Sequence, residues 1–205
     1  TWAARAVMTA TPSWLNLQQT VTVTANTNYT TTFWMKGSVS IVTPAPSLPW
    51  SVTTVSAGFS SPTGIVFDGS QIWVADLGLG ALLQLDSGGA ILQSIPTGPH
   101  PGFPIFDGEN IWLPDAEAAT VLVVRASTGQ VVATLSGNGL SAPTSAAFDG
   151  ERVLVAGNNL SLWRAADLSP LGFVTHATTG QLVGSCSDGL RFWITYFDSG
   201  ELLRF

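Results

Sequence analysis

From Ser61 onward the apolar positions come in short runs separated by Gly- and Asp-bearing turns. They do not follow the i, i+3, i+4 spacing of an amphipathic helix. Gly64-Ile-Val-Phe67 runs into Asp68-Gly69, and Gln71-Ile-Trp-Val-Ala75 follows. Two β-forming runs on either side of Asp-Gly predict a hairpin, because the turn needs a positive φ that Gly adopts without a Cβ clash. Ala81–Leu85 reads as a third strand. A Gly-bearing turn then leads to a fourth, Ala90–Ile95.

The same pattern returns. Asp-Gly pairs stand at Asp68-Gly69, Asp107-Gly108, Asp149-Gly150 and Asp188-Gly189, with spacings of 39, 42 and 39 residues. Phe67, Phe106 and Phe148 precede three of the pairs, and Ser187 takes that place in the fourth. Ile72-Trp73, Ile111-Trp112, Val153-Leu154 and Phe192-Trp193 follow them. Pro62, Pro101 and Pro143 lie at one position upstream. Third strands recur at Thr120–Val124 and Leu160–Trp163, and a fourth at Gln130–Leu135. Four short antiparallel strands in about 40 residues make one β-propeller blade. A lone blade cannot bury both its faces, and radial stacking does so. The expected fold is therefore all-β: a β-propeller of four such blades, preceded by a short β-hairpin or β-sandwich fragment. The Trp residues at 73, 112 and 193 share one strand register, which predicts interblade packing.

The last copy stops after its third strand. Thr195–Phe205 aligns without gaps on Ala75–Leu85. Trp50–Gly58 aligns on Ala90–Gly98, and so reads as a spare fourth strand ahead of the first copy. Three readings stay open: an arc cut from a larger ring, a closed four-bladed ring completed by residues 50–58, and two chains sharing one eight-bladed ring. The arc is the favoured reading, since four blades is the bottom of the propeller range.

Residues 1–42 lack the repeat. Thr20–Thr24 and Tyr29–Met35 read as a hairpin across Ala25–Asn28, with Ala4–Thr9 as a further strand. Residues 43–49 carry three prolines and read as a stiff linker to the propeller repeats, 50–205. The run Gln19-Thr-Val-Thr-Val23, Tyr29-Thr30 and Phe33-Trp-Met-Lys-Gly37 resembles the middle strands of carbohydrate-binding β-sandwich modules on secreted bacterial glycosidases. That resemblance covers part of such a module only. It implies Trp14 and Trp34 as sugar-stacking candidates, with strand packing as the alternative for both.

Composition narrows the function classes. The chain has 205 residues, 45% of them hydrophobic and 10% charged, with a net charge of −6. An acidic chain lacks the basic face that a nucleic-acid backbone requires. No apolar run is long enough for a transmembrane helix, so no membrane insertion is expected. Cys186 is the single cysteine, which excludes an internal disulfide; it is expected as a small buried strand residue. The Asn28 and Asn159 triplets match the glycosylation pattern. The start at Thr1 reads as a fragment or processed product, and the low-charge, Thr-rich style as extracellular or cell-surface.

The run Pro62-Thr-Gly-Ile-Val-Phe-Asp-Gly-Ser-Gln-Ile-Trp-Val-Ala-Asp76, with Val121–Leu135, resembles the bacterial NHL/YVTN group, the YncE-like and streptogramin-lyase-like propellers among them. The resemblance covers nearly all of 50–205 and implies the fold. For function it implies mostly binding or scaffolding, because fold alone does not carry activity. By repeat phase, Asp76, Asp115, His100, Asn158 and Tyr196 gather on one rim and are the candidate ligand-binding residues. Turn capping is the alternative for both Asp residues, and a solvated loop for His100. No catalytic residue and no cofactor is assigned; a divalent cation at the rim has only the Asp76/Asp115 pair to hold it. The expectation is a non-enzymatic binding scaffold for a protein or glycan, prone to self-association through open blade edges. The alternative is a lyase or hydrolase using Asp76, Asp115 and His100.

Overall fold

The computed structural model describes residues 2–7, 20–23, 40–42, 51–175, 182–197 and 199–205. The chain divides into two compact units, Thr1–Thr53 and Thr54–Phe205. In the first, β1 (Trp2–Val7) lies between β2 (Thr20–Val23) and β3 (Ser40–Val42), antiparallel to both. Trp2 pairs with Val23 and Arg5 with Thr20; on the other edge Arg5 pairs with Val42 and Val7 with Ser40. The expected strand at 29–35, the 43–49 linker, Trp14 and Trp34 lie outside the described residues.

The second unit is built of four antiparallel sheets, each made in chain order. The first holds β4 (Pro62–Phe67), β5 (Ile72–Asp76), β6 (Ala81–Leu85) and β7 (Ile91–Pro96). The second holds β8 (Ile105–Phe106), β9 (Asn110–Asp115), β10 (Thr120–Arg125) and β11 (Gln130–Leu135). The third holds β12 (Ser145–Phe148), β13 (Arg152–Ala156), β14 (Asn159–Arg164) and β15 (Pro170–Thr175). The fourth holds β16 (Leu182–Ser187), β17 (Phe192–Tyr196) and β18 (Glu201–Arg204). No helix occurs among the described residues. Each complete sheet breaks register between its third and fourth strands, at Gln84/Leu85, Val123/Val124 and Leu162/Trp163. Such bulges increase local twist.

Successive side chains of a strand point to opposite faces, and the second and third sheets pack a neighbouring blade on both. Trp73, Ala75 and Leu82 of the first pack on Ile111, Leu113 and Val124 of the second. Trp112, Val121 and Val123 of the second pack on Val153, Val155 and Ala146 of the third. Leu154, Ala156 and Leu160 of the third pack on Phe192, Ile194 and Tyr196 of the fourth. The innermost strands β4, β8, β12 and β16 neighbour one another in that order. The four sheets are thus the blades of a four-bladed β-propeller.

Two expectations change. Residues 51–56 form no strand and are exposed, so the spare fourth strand is not present as such; without a neighbouring edge the stretch has no partner for its N–H and C=O groups. Cys186 is exposed rather than buried: it pairs with Trp193, on the face of the fourth blade that no other described blade covers.

The Asp-Gly turns share one hydrogen-bond scheme. Oδ1 of Asp68 accepts the N–H groups of Ser70 and Gln71, and Oδ2 accepts Trp73 Nε1–H at 2.8 Å. Asp107 does the same with Glu109, Asn110 and Trp112, and Asp188 with Leu190, Arg191 and Trp193. In the third blade Leu154 replaces the Trp. There Arg152 takes over, donating Nε–H to Asp149 Oδ2 at 2.8 Å. The turn glycines Gly69, Gly108, Gly150 and Gly189 have φ of 95°, 101°, 104° and 86°, which explains their recurrence.

Candidate functional site

The loop that leads into each first strand meets the turn between second and third strands. Leu77 N–H donates to Ser61 O at 2.9 Å, Ala116 N–H to His100 O at 3.0 Å, and Asn158 N–H to Ser141 O at 2.8 Å. Contacts then run from blade to blade along this side. Phe103 N–H donates to Thr144 O, and the Tyr196 hydroxyl donates to Gly157 O at 3.4 Å. This is the rim expected from the repeat phase, and it gathers the loops bearing Asp76, His100, Asp115, Asn158 and Tyr196.

The five side chains differ in what they offer. Asp76 is 0% exposed. Its Oδ2 accepts Ser60 N–H at 2.8 Å, and its Oδ1 accepts Ser61 and Leu79 N–H at 2.9 and 3.0 Å. Burial opposes its ionisation, yet the amides of Ser60, Ser61, Leu79 and Gly78 outweigh burial and hold the carboxyl below its ordinary value. Asp115 is 3% exposed and accepts His100 N–H on Oδ2 and Ala118 N–H on Oδ1. Both carboxylates therefore cap their own loops. Tyr196 is buried too; burial first, then the Glu201 carboxylate, pushes its phenol up. His100 and Asn158 are exposed. Asn158 Nδ2–H reaches Ser141 Oγ at 3.2 Å.

Glycines make the rim this tight. A Cβ on Gly98 would collide with the Asp115 carboxylate, and one on Gly157 with the carbonyls of Ser141 and Ala142. These positions escape sequence reading, because their neighbours come from other loops. A groove of about 350 Å³ lies beside Asp115, lined by Pro96, Thr97, Leu113 and Thr120. For a cation the donor set is thin: among the described residues no three His, Cys, Asp or Glu side chains cluster. The Asn159 amide nitrogen donates to Gly139 O at 2.8 Å, so this glycosylation-type asparagine is engaged within the fold.

The sequence matches no protein-family model and no curated protein. Solved structures do match. A streptogramin B lyase superposes with a TM-score of 0.56 at 14% identity, covering 70% of this chain and 54% of that one. The hydrazine synthase of Kuenenia stuttgartiensis gives 0.62 at 16%, covering 75% and 48%. The RRP9 WD40 repeats give 0.54 at 16%, covering 71% and 51%. The likeness is one of fold. This propeller spans about half the length of the solved structures it matches.

Proposed function

We propose that the propeller is a non-enzymatic binding scaffold, taking a protein or glycan ligand on the rim that carries His100 and Asn158. We place it in an extracellular or cell-surface setting, in line with the low-charge, Thr-rich composition. The observation that carries the reading is the state of Asp76 and Asp115. Both are buried, and their oxygens accept backbone N–H groups. A general base or cation ligand is more effective where its oxygens are turned to a substrate than where they are held by loop amides, whereas a binding face needs only exposed loops held on a rigid support. His100 and Asn158 are exposed on loops fixed at their base by the Ala116–His100 and Asn158–Ser141 hydrogen bonds.

The test is binding of the 205-residue chain to a glycan array and to an array of bacterial surface proteins, repeated with His100→Ala and Asn158→Ala. A selective signal that the variants lose supports the reading. Blank arrays, or a signal indifferent to both variants, reject it. Turnover of streptogramin B by the chain would replace it with the lyase alternative.

A further inference from the structure

The seam between the first and second blades is not closed along its whole length. The groove of about 350 Å³ beside Asp115 lies there, at the lower end of the roughly 300–1,000 Å³ of ligand pockets. Pro96, Leu113 and Leu122 give it apolar walls, and Asp115 is the one charged residue of its lining. The repeat shows what sets this seam apart. In the first blade Ser60, Ser61 and Leu79 all donate N–H to Asp76. In the second, Pro99 stands at the position of Ser60 and has no N–H, so Asp115 accepts only His100 and Ala118. At the next seam Asn159 opens β14 as Thr120 opens β10, and its amide bridges to the interblade loop at Gly139 O. Thr120 has no amide and lines the groove instead. Asp115 is thus a buried carboxylate one amide short of its counterpart. No basic side chain pairs with it: the ion pairs among the described residues are Arg125–Glu109, Arg152–Asp149 and Arg164–Asp167.

We propose that this groove is a binding site for a primary alkylammonium group, of the kind a lysine side chain carries. A buried carboxylate costs free energy while its charge stands unpaired, and a cation entering beside it lowers that cost. Amide-held oxygens are poor bases, but each carboxylate oxygen carries two lone pairs, and Asp115 has engaged one on each. A compact ammonium needs one of those left. A guanidinium fork needs both oxygens side by side, and here each is already held by a loop amide. The alkyl stem lies along Pro96, Leu113 and Leu122, as lysine stems lie on apolar surface while the head group stays in polar surroundings. Gly98 lies against the carboxylate, and any side chain there would stand on its Oδ2. The net charge of −6 favours the approach of a cation from solution. The site lies beside the rim of His100 and Asn158 and does not depend on what binds there.

The experiment is a titration of the 205-residue chain with n-butylammonium, followed by the methyl resonances of Leu113 and Leu122, against n-butanol and n-butylguanidinium. The expected result is a saturable shift of both residues by n-butylammonium. The alcohol should bind at least about tenfold more weakly, because it brings no charge to a site shut off from water, and the guanidinium more weakly than the ammonium. Asp115→Asn removes the charge, and Thr120→Asn copies Asn159 and closes the seam; each should abolish the shift. Resonances of β13, at the next seam, report whether each variant is folded. Thr120 is half-buried, so the second variant keeps the test decisive if the first does not fold. Absence of a saturable shift overturns the proposal. So does equal binding of the alcohol, which would make the groove merely apolar, or of the guanidinium, and so does a shift that survives either folded variant. No array ligand enters this titration, so its result and the binding result above stand or fall separately.

Discussion

In each Asp-Gly turn one carboxylate oxygen closes the turn and the other reaches a side chain in the next strand. Trp112 Nε1–H lies 2.6 Å from Asp107 Oδ2, with the indole buried. Trp112→Phe should therefore cost about 1.5–3 kcal/mol, the range for a hydrogen bond to a charged group, measured by urea unfolding. Asp76→Ala removes the acceptor of three backbone N–H groups at once and should cost about 3 kcal/mol. His100→Ala, at an exposed loop position, should stay within about 0.5 kcal/mol. The same turns set the acid response. Burial works against ionisation of Asp68, Asp76 and Asp149, and their hydrogen bonds outweigh it. The Trp193 indole, ahead of the Leu190 and Arg191 amides, holds Asp188 down to about 2. All four lie below the ordinary 3.8 when folded. Their contribution is thus complete above that value and is lost as pH falls through the folded values. Melting temperature should be level from pH 7 to 5 and fall below pH 4; a rise on acidification would contradict this. The Asp-Gly pairs were plain in the sequence, and so was the shared register of the Trp residues. The partner of each indole was not, because the two lie five residues apart around a turn and no local rule couples them. That Leu154 stands where the other copies have Trp was plain in the sequence; that Arg152 fills the indole's role is visible only once the atoms are placed.

At the level of strands and loops, the repeat foretold three complete blades nearly strand for strand. Each strand is a short apolar run bounded by turn residues, and each run pairs with its neighbour in sequence. Reading failed at 50–58 for a physical reason. Sequence marks a stretch able to be a strand, but a strand exists only beside a free edge. Loop approach was equally hidden. Gly157 and Gly69 look alike in the sequence and act differently. A Cβ on Gly157 would collide with the Ser141 and Ala142 carbonyls, while around Gly69 nothing lies within 4 Å and only its φ of 95° resists. Gly69→Ala should cost about 1–2 kcal/mol, the penalty of a left-handed backbone for a residue with a Cβ. Gly157→Ala should cost more, because the loop must also move. Thermal unfolding of the two variants compares them directly, and a smaller loss for Gly157→Ala would contradict the packing described. For the candidate site the sequence placed these loops on one side. It did not separate the buried Asp76 and Asp115 from the exposed His100 and Asn158, since burial there depends on a loop from outside the hairpin.

Across the whole propeller, stability is a sum of blade and junction terms, as in other repeat proteins. The second blade is covered on both faces and the fourth on one, with β18 at the end of its sheet. Hydrogen exchange should therefore be slowest in β9 and β10 and fastest in β17 and β18 of the isolated chain. Uniform protection would mean that the four blades open as one. The indoles described above add an optical consequence. Trp73 sits at the junction of the first and second blades, and Trp112 and Trp163 at that of the second and third; Trp193 stands on the uncovered end face. Excited indole emits further to the blue the drier its surroundings. Replacing these residues one at a time by Phe would assign a colour to each junction, so the emission spectrum becomes a blade-by-blade record of which seams have parted.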